Sequence, residues 1–237
     1  MRAAMPNTAS AKTMALEAVL FDLDGTLVDT APDFVVAVNQ LRNNHQLESL
    51  PAASICEHVS NGSIALTQHA FNITPEHSNF ATLRQALLDN YLNCIGQHSA
   101  LYNGLGDLLK QLNNASIPWG IVTNKPIAYA QPLIEKLELA DSCEVLICPD
   151  HVAQVKPHPE GLFMAAKKIN CDASAIAYIG DHDRDIEAGR AAGMKTIAAA
   201  YGYIGHEQNI EDWRADSIAK HPQDIHFTLE RLFSCTI

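Results

Sequence analysis

Apolar residues follow two rhythms along the chain. Ala18-Val19-Leu20-Phe21 is an unbroken apolar run. Without polar alternation, such a run reads as a strand buried on both faces of a parallel sheet. Similar short runs recur at Trp119–Val122, Val145–Cys148, Ile176–Ile179 and Thr196–Ala199. Between them, residues 105–112, 126–137, 161–169 and 185–192 repeat their apolar positions at helical spacing. Strands alternating with helices at these distances predict an α/β fold with a doubly wound, Rossmann-like parallel sheet. Beyond Ala199 the pattern assigns no further strand or helix.

The stretch from residue 31 to 101 keeps only the helical rhythm. Thr30-Ala31-Pro32-Asp33 opens a helix, with Thr30 as its cap and Pro32 tolerated in the first turn. Phe34, Val35, Val38 and Leu41 then recur at helical spacing. Further helices are expected at 52–58, 63–71 and 75–95, with breaks at Asn61-Gly62 and at 72–75. The contrast with both flanks predicts a small inserted α-helical domain at 31–101, set in a core formed by 15–30 and 102–237. Residues 1–14, rich in Ala, Ser, Thr and Asn, read as a disordered leader without the apolar stretch of a secretory signal.

Composition narrows the function. The 237 residues include 47% hydrophobic and 18% charged, ordinary for a compact globule, and carry a net charge of −11. So acidic a balance speaks against nucleic acid or an anionic membrane as partner, because both require a clustered positive field. No apolar run reaches the length of a membrane span. The six cysteines show no Cys-x-x-Cys pair and no zinc-like spacing with histidine, which fits free thiols in a reducing compartment and leads to a cytoplasmic expectation.

The candidate chemistry sits where the apolar runs end. In open α/β sheets the ligand crevice lies outside the carboxyl ends of the strands. There the first run gives way to Asp22-Leu23-Asp24-Gly25-Thr26-Leu27-Val28-Asp29. Asp22 and Asp24 are two apart on extended chain and project to one side. Gly25 lets the chain turn, and the Thr26 hydroxyl can tie the turn down. The next strand ends in Thr123-Asn124-Lys125-Pro126, where Thr123 offers a hydroxyl, and the N–H groups after it offer donors, to a phosphate oxygen. Lys125 either reaches substrate or faces water. Lys156-Pro157-His158-Pro159 is a loop stiffened by two prolines. Ile179-Gly180-Asp181 closes a further strand, and Asp185 follows four residues on, so a helix starting there sets both carboxylates on one face. Clustered carboxylates that stay ionised need a cation, and hard oxygen ligands suit Mg²⁺.

Taken together, the run from Asp22 to Asp29, Thr123-Asn124, Lys156-Pro-His-Pro and Gly180-Asp181…Asp185 resemble the four motifs of the haloacid dehalogenase-like superfamily. The resemblance covers nearly all of the chain from Leu16 onward. It implies the α/β fold above with the helical insert as a cap, and it makes Asp22 the nucleophile and Asp24 the acid and base. Thr123 and Asn124 would bind phosphate. Lys156 would neutralise charge between nucleophile and phosphate. Asp22, Asp181 and the backbone carbonyl of Asp24 would hold Mg²⁺, with Asp185 behind them or orienting Lys156. An acid at position 24 fits phosphoryl transfer rather than dehalogenation. Ser60-Asn61-Gly62-Ser63 is the expected cap contact, with Asn61 and Gly62 touching substrate. The pattern is similar to the phosphoglycolate phosphatase-like branch. Residues 122–126, 146–152, 185–190 and 201–204, with Trp213 and Asp216, are more similar to the N-acetylmuramic acid 6-phosphate phosphatases of cell-wall recycling. The implied reaction is Mg²⁺-dependent hydrolysis of a small phosphorylated metabolite through an aspartyl-phosphate. A phosphomutase of the β-phosphoglucomutase type shares the motifs and stays an alternative. An inactive binding module would be expected to have lost at least one of these residues.

Overall fold

The computed structural model describes residues 15–205 and 208–237; the leader expected at 1–14 lies outside the described residues. In chain order the elements are β1 (Ala18–Phe21), β2 (Val28–Asp29), α1 (Ala31–Asn44), α2 (Ala52–Cys56), α3 (Gly62–Phe71), α4 (Phe80–Cys94), β3 (Ala100–Leu101), α5 (Leu105–Asn114), β4 (Trp119–Val122), α6 (Ile127–Lys136), β5 (Val145–Ile147), α7 (Glu160–Ile169), β6 (Ile176–Gly180), α8 (Asp183–Ala191), β7 (Lys195–Ala199), β8 (Ser217–Ala219) and α9 (Asp224–Phe233).

Six strands form one parallel sheet in the order β5-β4-β1-β6-β7-β8. β1, β4 and β5 step to one edge. The chain then returns through α7 and lays β6 on the other side of β1, so the order reverses beside β1. That reversal opens a crevice at the carboxyl ends of the strands. The register sets Phe21 level with Ile121 on one side and Ile179 on the other. Asp22, Thr123 and Asp181 therefore leave the sheet at the same edge within one residue of each other. All four residues of β1 are fully buried, as a strand covered on both faces requires.

The helical segment leaves the core at β2 and returns at β3. These two strands pair antiparallel, Val28 with Leu101 and Asp29 with Ala100. No strand pattern announces them, because two residues each are too short to show a period. Inside the segment α1 packs on α4, with the Phe34 and Tyr91 rings stacked at 4.0 Å. Its apolar residues join the cluster under the sheet, where Phe34, Leu66 and Leu87 belong with Phe21, Ile121 and Ile179. Asp33 fastens the return. Fully buried, it accepts hydrogen bonds from Gly96 N–H and His98 N–H, at 2.7 and 2.8 Å, and from the Ser99 hydroxyl.

Three local expectations change. α4 begins at Phe80 rather than Pro75, because Thr74 to Asn79 bond to one another; Asn79 N–H donates to His77 Nδ1 and His77 N–H to the Thr74 carbonyl. Thr30 precedes α1 without capping it, its hydroxyl going instead to Asp24 Oδ1 at 2.6 Å. Beyond Ala199, β8 and α9 complete the sheet and its covering layer.

Replacing Asp33 with alanine leaves one buried hydroxyl and two part-buried N–H groups without their acceptor. We expect a loss of about 3 kcal/mol in urea unfolding, at the upper end of the cost of unsatisfied buried groups. A Ser99→Ala variant, which leaves the two backbone donors paired, should lose about 1 kcal/mol.

Candidate active site

The chain turns sharply after β1. Gly25 has φ +80°, and a Cβ there would collide with the Asp181 carboxylate, so only glycine lets the two meet. Thr26 does not tie down its own turn; its hydroxyl donates to Asp181 Oδ1 at 3.3 Å. Asp181 lies one residue past β6, whereas α8 starts at Asp183. Asp181 and Asp185 therefore do not share a helix face, contrary to what their spacing predicts. Asp185 instead folds back over Gly180, where any side chain would clash with it, and accepts from His182 N–H at 3.1 Å. Strand end and helix start thus bring the two acids together by a turn.

Asp22, Asp181 and Asp185 are all buried and offer carboxylate oxygens within 4.8 Å of one another. One cation is already there. Lys156 Nζ lies 2.8 Å from Asp22 Oδ1 and 2.7 Å from Asp185 Oδ1, and it donates to the Val122 carbonyl and the Tyr178 hydroxyl at 2.9 and 2.8 Å. Burial raises the Asp22 carboxyl, but Lys156 and Arg184 outweigh it and hold the group below its ordinary value. Burial likewise disfavours the Lys156 ammonium, and the charges of Asp185 and Asp22 raise it on balance. Lys156 lies behind Asp22 and is not among the residues lining the cavity described below.

Asp181 receives less. Burial, then the charges of Asp22 and Asp185, push its carboxyl up to about 8 despite the hydrogen bond from Tyr203 N–H at 2.9 Å. An acid held this far from its ordinary ionisation, beside two others, is the donor set that a hard divalent cation satisfies. The Asp24 carboxylate stays outside the cluster. Its Oδ1 accepts from Thr30 and, at 2.9 Å, from Lys125.

Lys125 neither faces water nor stands free. It is buried between Asp24 and the rings of Tyr91 and Phe34, whose centroids lie 4.6 and 5.0 Å from Nζ. Asn124 spends both ends of its amide on the Lys156 backbone, at 3.0 and 3.2 Å, and so staples the Lys156 loop to β4. Thr123 Oγ1 accepts from Lys125 N–H at 3.1 Å, which leaves its own hydrogen to donate.

A cavity of about 320 Å³ opens above these groups. Asp22, Asp24, Thr123, Asn124 and Lys125 line its floor, and Ser60, Asn61, Gly62 and Ser63 line the side formed by the helical segment. Ser60 to Gly62 run from a single 3₁₀ turn into α3. Ser60 reaches the acidic cluster itself: its hydroxyl donates to Asp181 Oδ2 at 3.2 Å, and its carbonyl accepts from Arg184 Nη2 at 2.6 Å. Arg184 lines the cavity too. The sequence analysis does not name Arg184; its place in the first turn of α8, between Asp181 and Asp185, is the signal that could have found it.

A model of the haloacid dehalogenase-like hydrolases matches residues 19–199. The chain belongs to that family. The chain is 42% identical over 220 residues to an N-acetylmuramic acid 6-phosphate phosphatase of Pseudomonas aeruginosa, covering 93% of this chain and 97% of that one. It is 39% identical over 212 residues to a phosphoglycolate phosphatase of Xanthomonas campestris, covering 88% and 94%. On this kinship it is an enzyme of the phosphatase kind within the family. The fold is shared with a crystal structure described as a predicted phosphoglycolate phosphatase from Haemophilus somnus, at a TM-score of 0.78 and 24% identity over 89% of this chain and 96% of that one. No helix among the described residues is long and apolar enough to cross a membrane.

The raised Asp181 carboxyl fixes how stability responds to cation removal. In EDTA, the folded state keeps a proton on Asp181 between its ordinary value of 3.8 and about 8, whereas the unfolded chain has released it. Stability then falls as pH rises through that window. Thermal unfolding in EDTA should show a Tm declining from pH 5 to 8, and Mg²⁺ at a hundred times its Kd should raise Tm at pH 8 by several degrees, equivalent to about 2.7 kcal/mol. A Tm unmoved by Mg²⁺ would remove the cluster as a cation site.

Proposed function

We propose that the protein hydrolyses a small phosphomonoester with Mg²⁺ as cofactor, through an aspartyl-phosphate on Asp22. The observation that carries the reading is the separation of two carboxylates that follow each other on one strand end. Asp22 is held ionised by Lys156, while Asp24 is oriented through a single oxygen by Thr30 and Lys125. Two acids of different surroundings in one cavity is the arrangement that divides nucleophile from proton carrier.

Asp22 supplies an oxygen to phosphorus as the bond to the leaving alcohol breaks, and Asp24 gives its proton to the departing alkoxide oxygen through Oδ2, which has no partner among the described residues. Asp24 then takes a proton from the water that attacks the aspartyl-phosphate and returns Asp22 to its starting form. Thr123 O–H and Lys125, on the floor, and Arg184, on the wall, supply donors and charge for the phosphoryl oxygens. Mg²⁺, held by Asp22, Asp181, Asp185 and the Asp24 carbonyl, would offset charge on the phosphoryl group. Lys156 acts from behind, keeping Asp22 charged between two other acids. The segment at 31–101 serves as a cap, set on the paired β2 and β3, with Asn61 and Gly62 at the cavity wall.

The names of the relatives support N-acetylmuramic acid 6-phosphate or 2-phosphoglycolate as the substrate, the first favoured by the higher identity. A cytoplasmic place in cell-wall recycling goes with the first. The test is phosphate release with Mg²⁺ on both substrates. Asp22→Asn should abolish release, and Asp24→Asn should lower kcat by about 10²- to 10⁴-fold, the range of a lost general acid and base. Unchanged turnover in Asp22→Asn would refute the assignment.

A further inference from the structure

One residue on the cap side of the cavity breaks the pattern of its helix. Phe80, Leu87, Tyr91 and Cys94 form the buried stripe of α4. Position 84, four residues after Phe80 and three before Leu87, falls on that stripe and holds an arginine. Arg84 is half-buried and lines the cavity. Its Nε donates to Ser63 Oγ at 2.8 Å, and among the described residues no carboxylate lies within ion-pair distance of its guanidinium. The other cations near the site stand with the reacting groups: Lys156 against Asp22 and Asp185, Lys125 against Asp24, and Arg184 beside the acidic cluster.

An arginine on an apolar stripe, directed by one neutral hydroxyl and facing a cavity, lacks an anion. The phosphoryl group does not supply it, because that group is placed by Asp22, Thr123 and Lys125 on the floor. A second anion on the same substrate would. We propose that Arg84, positioned by Ser63, binds a carboxylate carried by the substrate away from its phosphate, and that the substrate is a sugar phosphate bearing such an acid. The proposal rests on the phosphatase reading above. Val59, Ile64, Leu88 and Tyr129 line the same cavity. A two-carbon acid has no surface to cover them, whereas a ring with acetyl and lactyl methyl groups does. The volume of about 320 Å³ also lies within the range of roughly 300–1,000 Å³ that takes a ligand of that size. A planar guanidinium with its remaining N–H groups unspent suits a carboxylate's two oxygens.

The experiment compares the wild type, Arg84→Gln and Arg84→Lys on three probes with Mg²⁺: N-acetylmuramic acid 6-phosphate, N-acetylglucosamine 6-phosphate, which lacks the lactyl acid, and 2-phosphoglycolate. The wild type should prefer the acidic sugar over the neutral one. Arg84→Gln should lower kcat/KM on the acidic sugar by ~100-fold, through KM, as loss of one partner of a desolvated charge pair does. Its loss on the neutral sugar should be at least tenfold smaller, and Arg84→Lys should recover part of the difference. Equal losses on both sugars would mark Arg84 as merely structural and overturn the proposal, as would a wild type that ignores the lactyl acid. A preference for 2-phosphoglycolate would overturn the sugar assignment. Hydrolysis of p-nitrophenyl phosphate that depends on Asp22, with none of the three probes accepted, would overturn the carboxylate subsite and leave the phosphatase reading standing. Activity that survives Asp22→Asn would instead bring down that reading.

Discussion

Crowding of negative charge is the constraint on which the rest of this structure depends. Three buried carboxylates share a space of 4.8 Å. At an effective dielectric near 20, each pair at such distances repels by about 3–4 kcal/mol, so the fold must supply compensation from every side. Lys156 is that compensation on the sheet side. Its ammonium touches two of the three acids, and Tyr178 and the Val122 carbonyl take its other directions. Asn124 fixes the Lys156 backbone through both ends of its amide, so the lysine's position is tied to β4 and not left to its loop. Asp181, out of reach of Lys156, collects only neutral donors from Thr26, Ser60 and Tyr203. That residual imbalance is what a divalent cation would correct.

The same bookkeeping of charge joins the helical segment to the core. Lys125 pairs with Asp24 and lies against the stacked rings of Phe34 and Tyr91, which come from α1 and α4. Packing of two helices of that segment thus determines the environment of a lysine that holds Asp24. Tyr203 makes a second link: its N–H serves Asp181, while its hydroxyl donates to Asp29 at 2.5 Å and accepts from Ala31 N–H at 2.7 Å. Asp29 and Ala31 flank the point where the chain enters the helical segment. The helical segment and the acids are therefore joined at two places.

Much of this was legible in the sequence because it is local. Asp22 and Asp24 are fixed by their distance from the end of an apolar run, and Trp119–Val122 was located to the residue because a fully buried strand has no polar interruption. The Gly180-Asp181 turn follows for the same reason, whereas the Lys156 loop is read from its two prolines. The pairing of β2 with β3 was not legible, since two residues carry no period, nor was β8, whose Ser217-Ile218-Ala219 makes no apolar run. The apolar spacing of α9 is present in the sequence, with Ile225, Leu229 and Phe233 buried, and was passed over. Capping by Thr30 failed for another reason. Its hydroxyl could serve the helix or Asp24, and only the tertiary arrangement decides between two acceptors of similar reach.

Residues that meet through packing leave a different trace. Arg84 lies outside every motif, while Lys125 follows one and Arg184 falls at a free position inside another, and each gains its meaning from a neighbour far along the chain: Asp24 for Lys125, Ser63 for Arg84, Ser60 for Arg184. For Arg84 the trace is an exception to periodicity, a cation where the helix would otherwise place an apolar side chain. Desolvating a guanidinium on such a stripe costs free energy that folding alone does not return. A core motif is thus read from what the residues are, and a recognition residue from where a residue ought not to be. On the proposed function, with the reacting groups set by one sheet edge, the choice of substrate would fall to the helices that line the cavity, where exceptions to amphipathic order are the informative positions.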